Sequence, residues 1–268
     1  MAERAELEGI TLAYEDTGGD GPAVLFVHGL GGSANGWLAQ LDACRERGWR
    51  GIAHDGRGAG RSQAGPEPLS VERWAADVRD LLDLLGIERA ALVGHSVGCM
   101  VAEHAAHLLG DRVWALALCG GTMAWPREAG AVFAERARLA RSGRLDEVAE
   151  AVSAGGLSER CRREDPRLLG LMREAIAGND GESYARCAEA TAAAAMRDPG
   201  ALRPHLLAFC GSEDPVTPPI ASEAIAAAAA EGASAVVEGA AHWCMVEDPG
   251  GTNGVLFGFI EGAKTESG

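Results

Sequence analysis

The architecture of this chain is indicated by one stretch, Ala90-Ala91-Leu92-Val93-Gly94-His95-Ser96-Val97-Gly98. Its apolar first half predicts a buried strand, and the run of small and apolar residues from 99 to 106 predicts a helix. A turn that joins strand to helix so abruptly brings the two backbones together, which explains the glycines at positions 94 and 98. We expect Ser96, at the apex, to be strained, exposed and able to act as a nucleophile. An ordinary glycine-rich turn is the alternative.

Size and charge limit the classes of protein to which this chain can belong. Its 268 residues, 47% of them hydrophobic, suit one α/β domain or one domain with an insertion. The formal net charge of −15 argues against nucleic acid and anionic membranes as partners. The charge is uneven, because arginines balance the acidic residues between 122 and 203 and nearly all the acidic excess lies outside this segment.

The N-terminal residues and the cysteines bear on the cellular setting. Residues 1–6 are polar and lack an apolar signal core, and no apolar run approaches the ~18 residues that cross a bilayer. We therefore expect a soluble cytoplasmic protein. No cysteine pair has C-x-x-C spacing, so neither a zinc site nor a disulfide framework is expected, and no metal or cofactor motif is present. Cys99, Cys119 and Cys244 are interpreted as small buried residues, or alternatively as part of a pocket wall.

Strands and helices alternate along most of the chain, which predicts parallel βαβ units. The predicted strands are 10–15, 23–27, 50–54, 90–93, 113–118, 205–210 and 235–238. The helices predicted between them are 34–47, 71–85 with Ser70 as N-cap, 99–106, 220–230 and 252–261. Four further helical runs, 131–141, 146–153, 166–177 and 182–196, interrupt the alternation. We interpret them as a helical cap over the carboxyl edge of the sheet; the alternative is a set of scaffold helices.

A serine hydroxyl needs a base and a group that orients the base before it becomes a nucleophile at neutral pH. Both candidates follow predicted strands, at the edge where open α/β sheets place their sites. Asp214 is the expected acid, and Glu213 is the competing candidate. Alternatively, Asp214 is a loop residue that only caps the N-terminus of a helix. His242 is the expected base, although His28, His54 and His95 also lie in loops near the site. We expect the backbone direction to point His95 away from Ser96.

Two backbone N–H groups are predicted to bind an oxyanion, those of Val97 and Leu30. Val97 begins the helix after the turn, and Leu30 lies in the glycine-rich loop that follows the strand 23–27. Candidate substrate contacts are apolar or aromatic residues of the cap and loops, namely Trp37, Met123, Trp125, Phe133 and Trp243, each of which is alternatively plain core. An arginine of the cap is a further candidate for an anionic substrate.

These motifs resemble the α/β-hydrolase superfamily over nearly the full length of the chain. The order Ser96, Asp214, His242 is that of its catalytic triads, and residues 55–62, DGRGAGRS, match its D-x-R-G-x-G-x-S loop. The resemblance implies an α/β fold with a mostly parallel central sheet flanked by helices. It also implies a core of 1–121 and 204–268 and a helical cap of 122–203. Cys99 departs from the pattern, since many relatives carry a third glycine there.

Within the superfamily the chain is similar to the capped esterases and lactonases, including enol-lactonases, on residues 98–102 and 214–219. Haloalkane dehalogenases and epoxide hydrolases carry Asp where this chain has Ser96. The resemblance therefore implies a serine hydrolase that cleaves a small carboxylic ester or lactone through an acyl-enzyme, without a cofactor or metal. A carbon–carbon bond hydrolase or thioesterase with the same triad, and a non-catalytic ligand-binding protein, are the alternatives. Homo-oligomer formation is left open.

Overall fold

A single mixed sheet forms the centre of the molecule, and the computed structural model describes residues 2–266. Its strands, in chain order, are β1 Glu3–Leu7, β2 Ile10–Asp16, β3 Ala23–Val27, β4 Arg50–His54, β5 Ala90–His95, β6 Val113–Cys119, β7 His205–Gly211 and β8 Gly232–Val237. Across the sheet they follow the order β1-β2-β4-β3-β5-β6-β7-β8. The pairs β1–β2 and β2–β4 are antiparallel, and every other neighbouring pair is parallel. The predicted mostly parallel sheet is therefore confirmed.

Helices cover both faces of this sheet. In chain order they are α1 Leu38–Glu46, α2 Val71–Leu84, α3 Val97–Leu109, α4 Ala129–Arg141, α5 Leu145–Gly156, α6 Glu159–Glu164, α7 Pro166–Ala177, α8 Gly181–Ala192, α9 Pro219–Ala228, α10 Cys244–Glu247 and α11 Pro249–Glu266. Residues of α2, α3 and α9 share one hydrophobic cluster with the sheet, and residues of α1 and α11 share the other. No helix in the described range 2–266 is long and apolar enough to cross a membrane.

The central strands form because their sequences are unbroken apolar runs. Every residue of β3, β5 and β6 is buried, which is the pattern of strands covered by helices on both faces. The predicted N-cap is also confirmed, since the Ser70 hydroxyl accepts a hydrogen bond from the backbone N–H of Arg73 at 3.2 Å. The carboxyl ends of these parallel strands lie at one edge, and β5 delivers Ser96 there.

Three short elements escaped the sequence-based prediction. β1 is an edge strand in which Ala5 alone is buried, so its sequence carries little apolar periodicity. α6 and α10 are six and four residues long, too short to show a helical repeat. The helix predicted to end at 196 ends instead at Ala192, because the chain then forms a β-bridge between Ala195 and Ala124.

Candidate active site

The turn between β5 and α3 has the strained geometry that its sequence predicts. Ser96 has φ 55° and ψ −122°, and it is the sole non-glycine residue with a positive φ in the described chain. A Cβ at Gly94 would lie 2.3 Å from the carbonyl oxygen of Gly98. A Cβ at Gly98 would lie 2.5 Å from the carbonyl oxygen of Val27. The steric reason for both glycines is thereby confirmed.

Asp214 and His242 form a buried hydrogen-bonded pair. Nδ1 of His242 donates to the carboxylate of Asp214 at 2.9 Å. The other carboxylate oxygen accepts the backbone N–H groups of Val216 at 2.8 Å and Thr217 at 2.9 Å. The Thr217 hydroxyl donates to the first oxygen at 2.8 Å. Each oxygen of the carboxylate thus accepts two hydrogen bonds from protein donors, and the carboxylate holds the imidazole in one orientation.

These contacts also fix the charge of the acid. Burial by itself raises the pKa of Asp214, but the adjacent His242 and the donors of Thr217 outweigh it and hold the pKa below its ordinary value. Glu213, the rival acid, is exposed, whereas Asp214 is buried and bonded to His242. The structure therefore brings Asp214, and not Glu213, to His242.

The loop that carries His242 is anchored on both sides. The backbone N–H of Ala241 donates to the Glu247 carboxylate at 3.1 Å, and the same carboxylate accepts the backbone N–H of Ser158 at 3.1 Å. The N–H of Trp243 donates to the carbonyl of Gly156 at 3.2 Å. A Cβ at Gly156 would lie 2.9 Å from the Trp243 ring, so only glycine lets the indole sit there. The helices between β6 and β7 thus help to position the histidine loop.

His95 departs from the expectation that it points away. Its ring centroid lies 4.7 Å from that of His242, and its Nε2 donates to the His242 carbonyl at 2.9 Å. Burial, followed by the neighbouring His242, lowers the pKa of His95 to about 3, so the ring stays neutral. The contact joins residues 147 positions apart, so local backbone direction did not predict it. His95 supports the base rather than competing with it.

Of the other nearby histidines, His28 has partners on both ring nitrogens, whereas Nδ1 of His54 has none in the described chain. Nδ1 of His28 donates to the carbonyl of Gly29 at 2.7 Å, and its Nε2 accepts the N–H of Gly56 at 2.7 Å. Both ring nitrogens of His28 are therefore occupied, and burial lowers its pKa. His54 lies in a neighbouring buried cavity, where burial lowers its pKa to about 4.

The loop that contains Leu30 approaches Ser96 closely. A Cβ at Gly29 would lie 2.9 Å from Cβ of Ser96, so the backbone reaches the nucleophile only because residue 29 is glycine. The carbonyl of Gly31 accepts a hydrogen bond from the Asn179 side chain at 3.1 Å, which fixes the loop from above. In the described chain the N–H groups of Leu30 and Val97 donate to no other group. Two backbone donors are consequently free beside Ser96.

Ser96 and His242 line one pocket, together with three of the five predicted contact residues. These three are Trp125, Phe133 and Trp243. Trp37 is fully buried, packs on Phe26 with ring centroids 5.1 Å apart, and borders a neighbouring groove instead. Met123 lies outside the pocket wall and packs against the core on the α3 side.

A family model described as alpha/beta hydrolase fold matches residues 22–249. The chain belongs to this family. Among solved structures, a thermophilic esterase from Thermogutta terrifontis, with malate bound, is 28% identical with a TM-score of 0.91 and covers 98% of this chain and 99% of that chain. The enol-lactonase from Burkholderia xenovorans LB400 is 27% identical with a TM-score of 0.89, covering 97% and 100%. The "Putative carbamate hydrolase RutD" of Escherichia coli (strain SMS-3-5 / SECEC) is 29% identical over 245 residues, 88% of this chain and 89% of that protein.

The family loop at 55–62 is a structural brace in this alpha/beta hydrolase. Asp55 accepts the backbone N–H of Ala34 at 2.8 Å and is ion-paired with Arg61 at 2.7 Å. Arg57 forms a buried bidentate pair with Asp77, at 2.8 and 2.7 Å. The loop therefore ties the segment after β3 to α2, and it contributes no group to the pocket at Ser96.

Two residues of this hydrolase site were missed from the sequence. Thr217 was overlooked, although an Asp whose side chain accepts the N–H groups two and three residues later forms a turn that is recognisable in a sequence. Asp214 forms such a turn with Val216 and Thr217. Arg136 lines the Ser96 pocket, and it lies three residues after Phe133 on α4, so the helical repeat could have paired the two.

The cysteines do not line the pocket at Ser96. Cys119 and Cys244 lie behind it with their sulfurs 3.4 Å apart, and Cys99 donates to the carbonyl of Cys119 at 3.2 Å. All three are buried, and burial contributes to raising the pKa values of Cys99 and Cys119. The interpretation of these cysteines as small buried residues agrees with this placement.

Proposed function

We propose that this protein is a serine hydrolase that cleaves a carboxylic ester or lactone through an acyl-enzyme. The proposal rests above all on the hydrogen bond between His242 and Asp214, at 2.9 Å, beside the pocket that Ser96 and His242 share. Ser96 is the proposed nucleophile, His242 the general base and Asp214 the carboxylate that orients the imidazole. The esterase and enol-lactonase among the solved relatives support the same class of bond.

The reaction would proceed in two halves. Ser96 Oγ attacks the carbonyl carbon while Nε2 of His242 accepts its proton, and the same nitrogen then gives that proton to the departing alkoxide. Water, deprotonated by His242, hydrolyses the acyl-enzyme and returns Ser96. His242 is suited to both steps because Asp214 and Thr217 fix its Nδ1 side.

Stabilisation of the oxyanion is assigned to the N–H groups of Leu30 and Val97. Val97 is the first residue of α3, where the helix dipole adds to the donor strength. Each donor of this kind is worth roughly 3 kcal/mol in the transition state. Gly29 lets the loop backbone come close to Ser96. The hydrogen bond from the Asn179 side chain to the carbonyl of Gly31 holds the Leu30 loop in place before substrate arrives.

The segment 122–203 is proposed to act as a cap that shapes the substrate pocket. Phe133 of α4 and Val152 of α5 border the pocket, and Gly156 at the end of α5 contacts the histidine loop. Trp37 and Met123 are no longer proposed as substrate contacts, whereas Trp125, Phe133 and Trp243 are.

The similarity to the "Putative carbamate hydrolase RutD" of Escherichia coli favours a second candidate function. This is hydrolysis of a carbamate by Ser96, His242 and Asp214. A panel of 4-nitrophenyl esters, lactones, thioesters, vinylogous diketones and aryl carbamates would separate the classes. We expect the esters or lactones to give the highest kcat/KM.

The decisive test of the proposal is the variant Ser96→Ala. We expect its kcat/KM for the best ester to fall by at least about 10⁴-fold, because the acyl-enzyme can no longer form. A fluorophosphonate should label the wild-type protein at Ser96 and leave the variant unlabelled. Ser234→Ala, at an exposed serine of β8, is the matched control and should retain full activity. Ester turnover by Ser96→Ala at near wild-type rates would refute the serine mechanism.

A further inference from the structure

The pocket at Ser96 contains one permanently charged side chain, that of Arg136. Among the described residues that line the pocket there is no Asp or Glu. His95 lines it as well but is neutral, as its lowered pKa requires. The side chains that line the pocket therefore carry one positive charge, with the nearest described carboxylate, Asp214, placed behind His242, although the whole chain carries a formal charge of −15.

Arg136 differs from the other arginines of α4 in having no acidic partner. Arg138 is ion-paired with Glu135 at 2.7 Å, and Arg141 bonds Glu182 at 2.8 Å. Within the described chain no carboxylate lies in ion-pairing distance of Arg136. Its guanidinium instead lies 5.7 Å from the centroid of the Phe133 ring, as a cation–π contact. A partly buried guanidinium that faces a pocket and lacks a counter-ion is suited to bind an anion.

The wall beside Arg136 offers a second donor without an acceptor. Trp125 packs edge-on against Phe133 with ring centroids 5.3 Å apart. The indole Nε1 of Trp125 is buried and has no hydrogen-bond partner in the described chain. A buried donor without an acceptor costs free energy. Arg136, Phe133 and Trp125 thus form one wall of the pocket, which combines a guanidinium with two aromatic rings.

We propose that Arg136 determines specificity by binding a carboxylate of the substrate, so that the natural ester or lactone carries an acid group remote from the bond that is cleaved. The proposal rests on the hydrolase function proposed above. The guanidinium would make two parallel hydrogen bonds to the carboxylate, a geometry that a lysine ammonium does not reproduce. The aromatic wall would cover the chain between the acid and the scissile carbonyl.

Two substrates with the same carbon chain test this assignment: the 4-nitrophenyl half-ester of adipic acid, and 4-nitrophenyl hexanoate. We expect the wild-type protein to prefer the anionic half-ester. Arg136→Gln should lower kcat/KM for the half-ester by about 10- to 100-fold, because a charge-assisted hydrogen bond is lost. Its kcat/KM for the hexanoate should fall much less, so that the ratio of the two kcat/KM values drops by about tenfold or more. Arg136→Lys should restore part of the preference, since it keeps the charge without the planar fork.

Arg138→Gln is the matched control, on the same helix and paired with Glu135 outside the pocket. It should leave the preference intact. A wild-type protein with no preference for the half-ester, or an Arg136→Gln variant that retains the preference, would overturn the assignment to Arg136. In both cases the proposed hydrolase function would still be supported if hydrolysis of the hexanoate depends on Ser96.

The binding of adipate provides a readout that does not depend on turnover. Trp125 and Trp243 line the pocket, so quenching of tryptophan fluorescence should report adipate binding to Ser96→Ala. The double variant Ser96→Ala, Arg136→Gln should bind adipate at least tenfold more weakly. If neither ester is hydrolysed but adipate binding depends on Arg136, the hydrolase proposal fails and the anion site remains. Equal binding by the two variants would refute the anion site.

Discussion

Thr217 determines how firmly the acid and the base are held together. Its backbone N–H and its hydroxyl both donate to Asp214, at 2.9 and 2.8 Å, and the hydroxyl oxygen lies 3.2 Å from Nδ1 of His242. The hydroxyl is fully buried, so no water replaces it when it is removed. Thr217 is a positioning residue, because it acts on the substrate only through Asp214 and His242.

Thr217→Val should weaken both folding and activity. We expect the free energy of unfolding to fall by about 1.5–3 kcal/mol, because a hydrogen bond to a buried charge is lost. We expect kcat to fall about tenfold with KM little changed. The pKa of Asp214 should rise, since its ionised form loses a donor. Thr217→Ser keeps the hydroxyl and should recover kcat; an equal loss in both variants would assign the effect to packing.

At the scale of elements, the junction of β5 and α3 sets the position of Ser96. The helix begins immediately after the strand, and Gly98 in its first turn lies against backbone carbonyls of β3 and the loop after it. Neighbouring backbone cannot yield without moving the Leu30 loop as well. Close packing at the junction therefore fixes the position of Ser96 relative to the loop that carries the proposed oxyanion donor Leu30.

Gly98→Ala should disrupt this junction. The new Cβ would lie 2.5 Å from the Val27 carbonyl oxygen and 2.6 Å from that of His28, so we expect a loss of about 1–3 kcal/mol or more in the free energy of unfolding. Gly258→Ala, on the exposed side of α11 with nothing within 4 Å, should instead stabilise the protein by about 0.5–1 kcal/mol. Urea unfolding of both variants measures the contrast. A Gly98→Ala variant as stable as the wild-type protein, or a Gly258→Ala variant less stable than Gly98→Ala, would contradict the structure.

For the whole molecule, three neutral histidines, of which His54 and His95 are buried and His28 is half-buried, link folding to pH. Burial lowers the pKa of His28, that of His54 to about 4 and that of His95 to about 3. The unfolded chain therefore binds protons below pH 6.5 that the folded chain does not bind, and stability falls as the pH falls from 7 toward 4. Asp55 and Asp214 have lowered pKa values, so their contribution is lost only at lower pH.

Urea unfolding at pH 7 and pH 5 should reveal this linkage. We expect His54 and His95 to reduce the free energy of unfolding by roughly 2 kcal/mol each between these values. His54→Gln, which cannot take up a proton, should make the loss smaller by the roughly 2 kcal/mol that His54 contributes. Equal stability of the wild-type protein at pH 5 and pH 7 would show that these rings are not buried as described.

The sequence by itself determined what depends on local sterics and apolar periodicity. The glycines at 94 and 98, the buried strands and the N-cap at Ser70 follow from contacts within a few residues, and each was predicted from the sequence. β1, α6 and α10 were missed because β1 has little apolar periodicity and the two helices are too short to show a repeat.

Only the tertiary structure decided which distant side chains meet. The sequence already favoured Asp214 over Glu213, but its contact with His242 joins residues far apart in the chain. The contact of His95 with His242 and the exclusion of Trp37 and Met123 from the pocket depend in the same way on distant residues. The same is true of Arg136, whose position in a helix does not reveal that its guanidinium lacks a counter-ion. Packing between elements sets these distances, and that packing depends on the three-dimensional course of loops that carry no periodic signal.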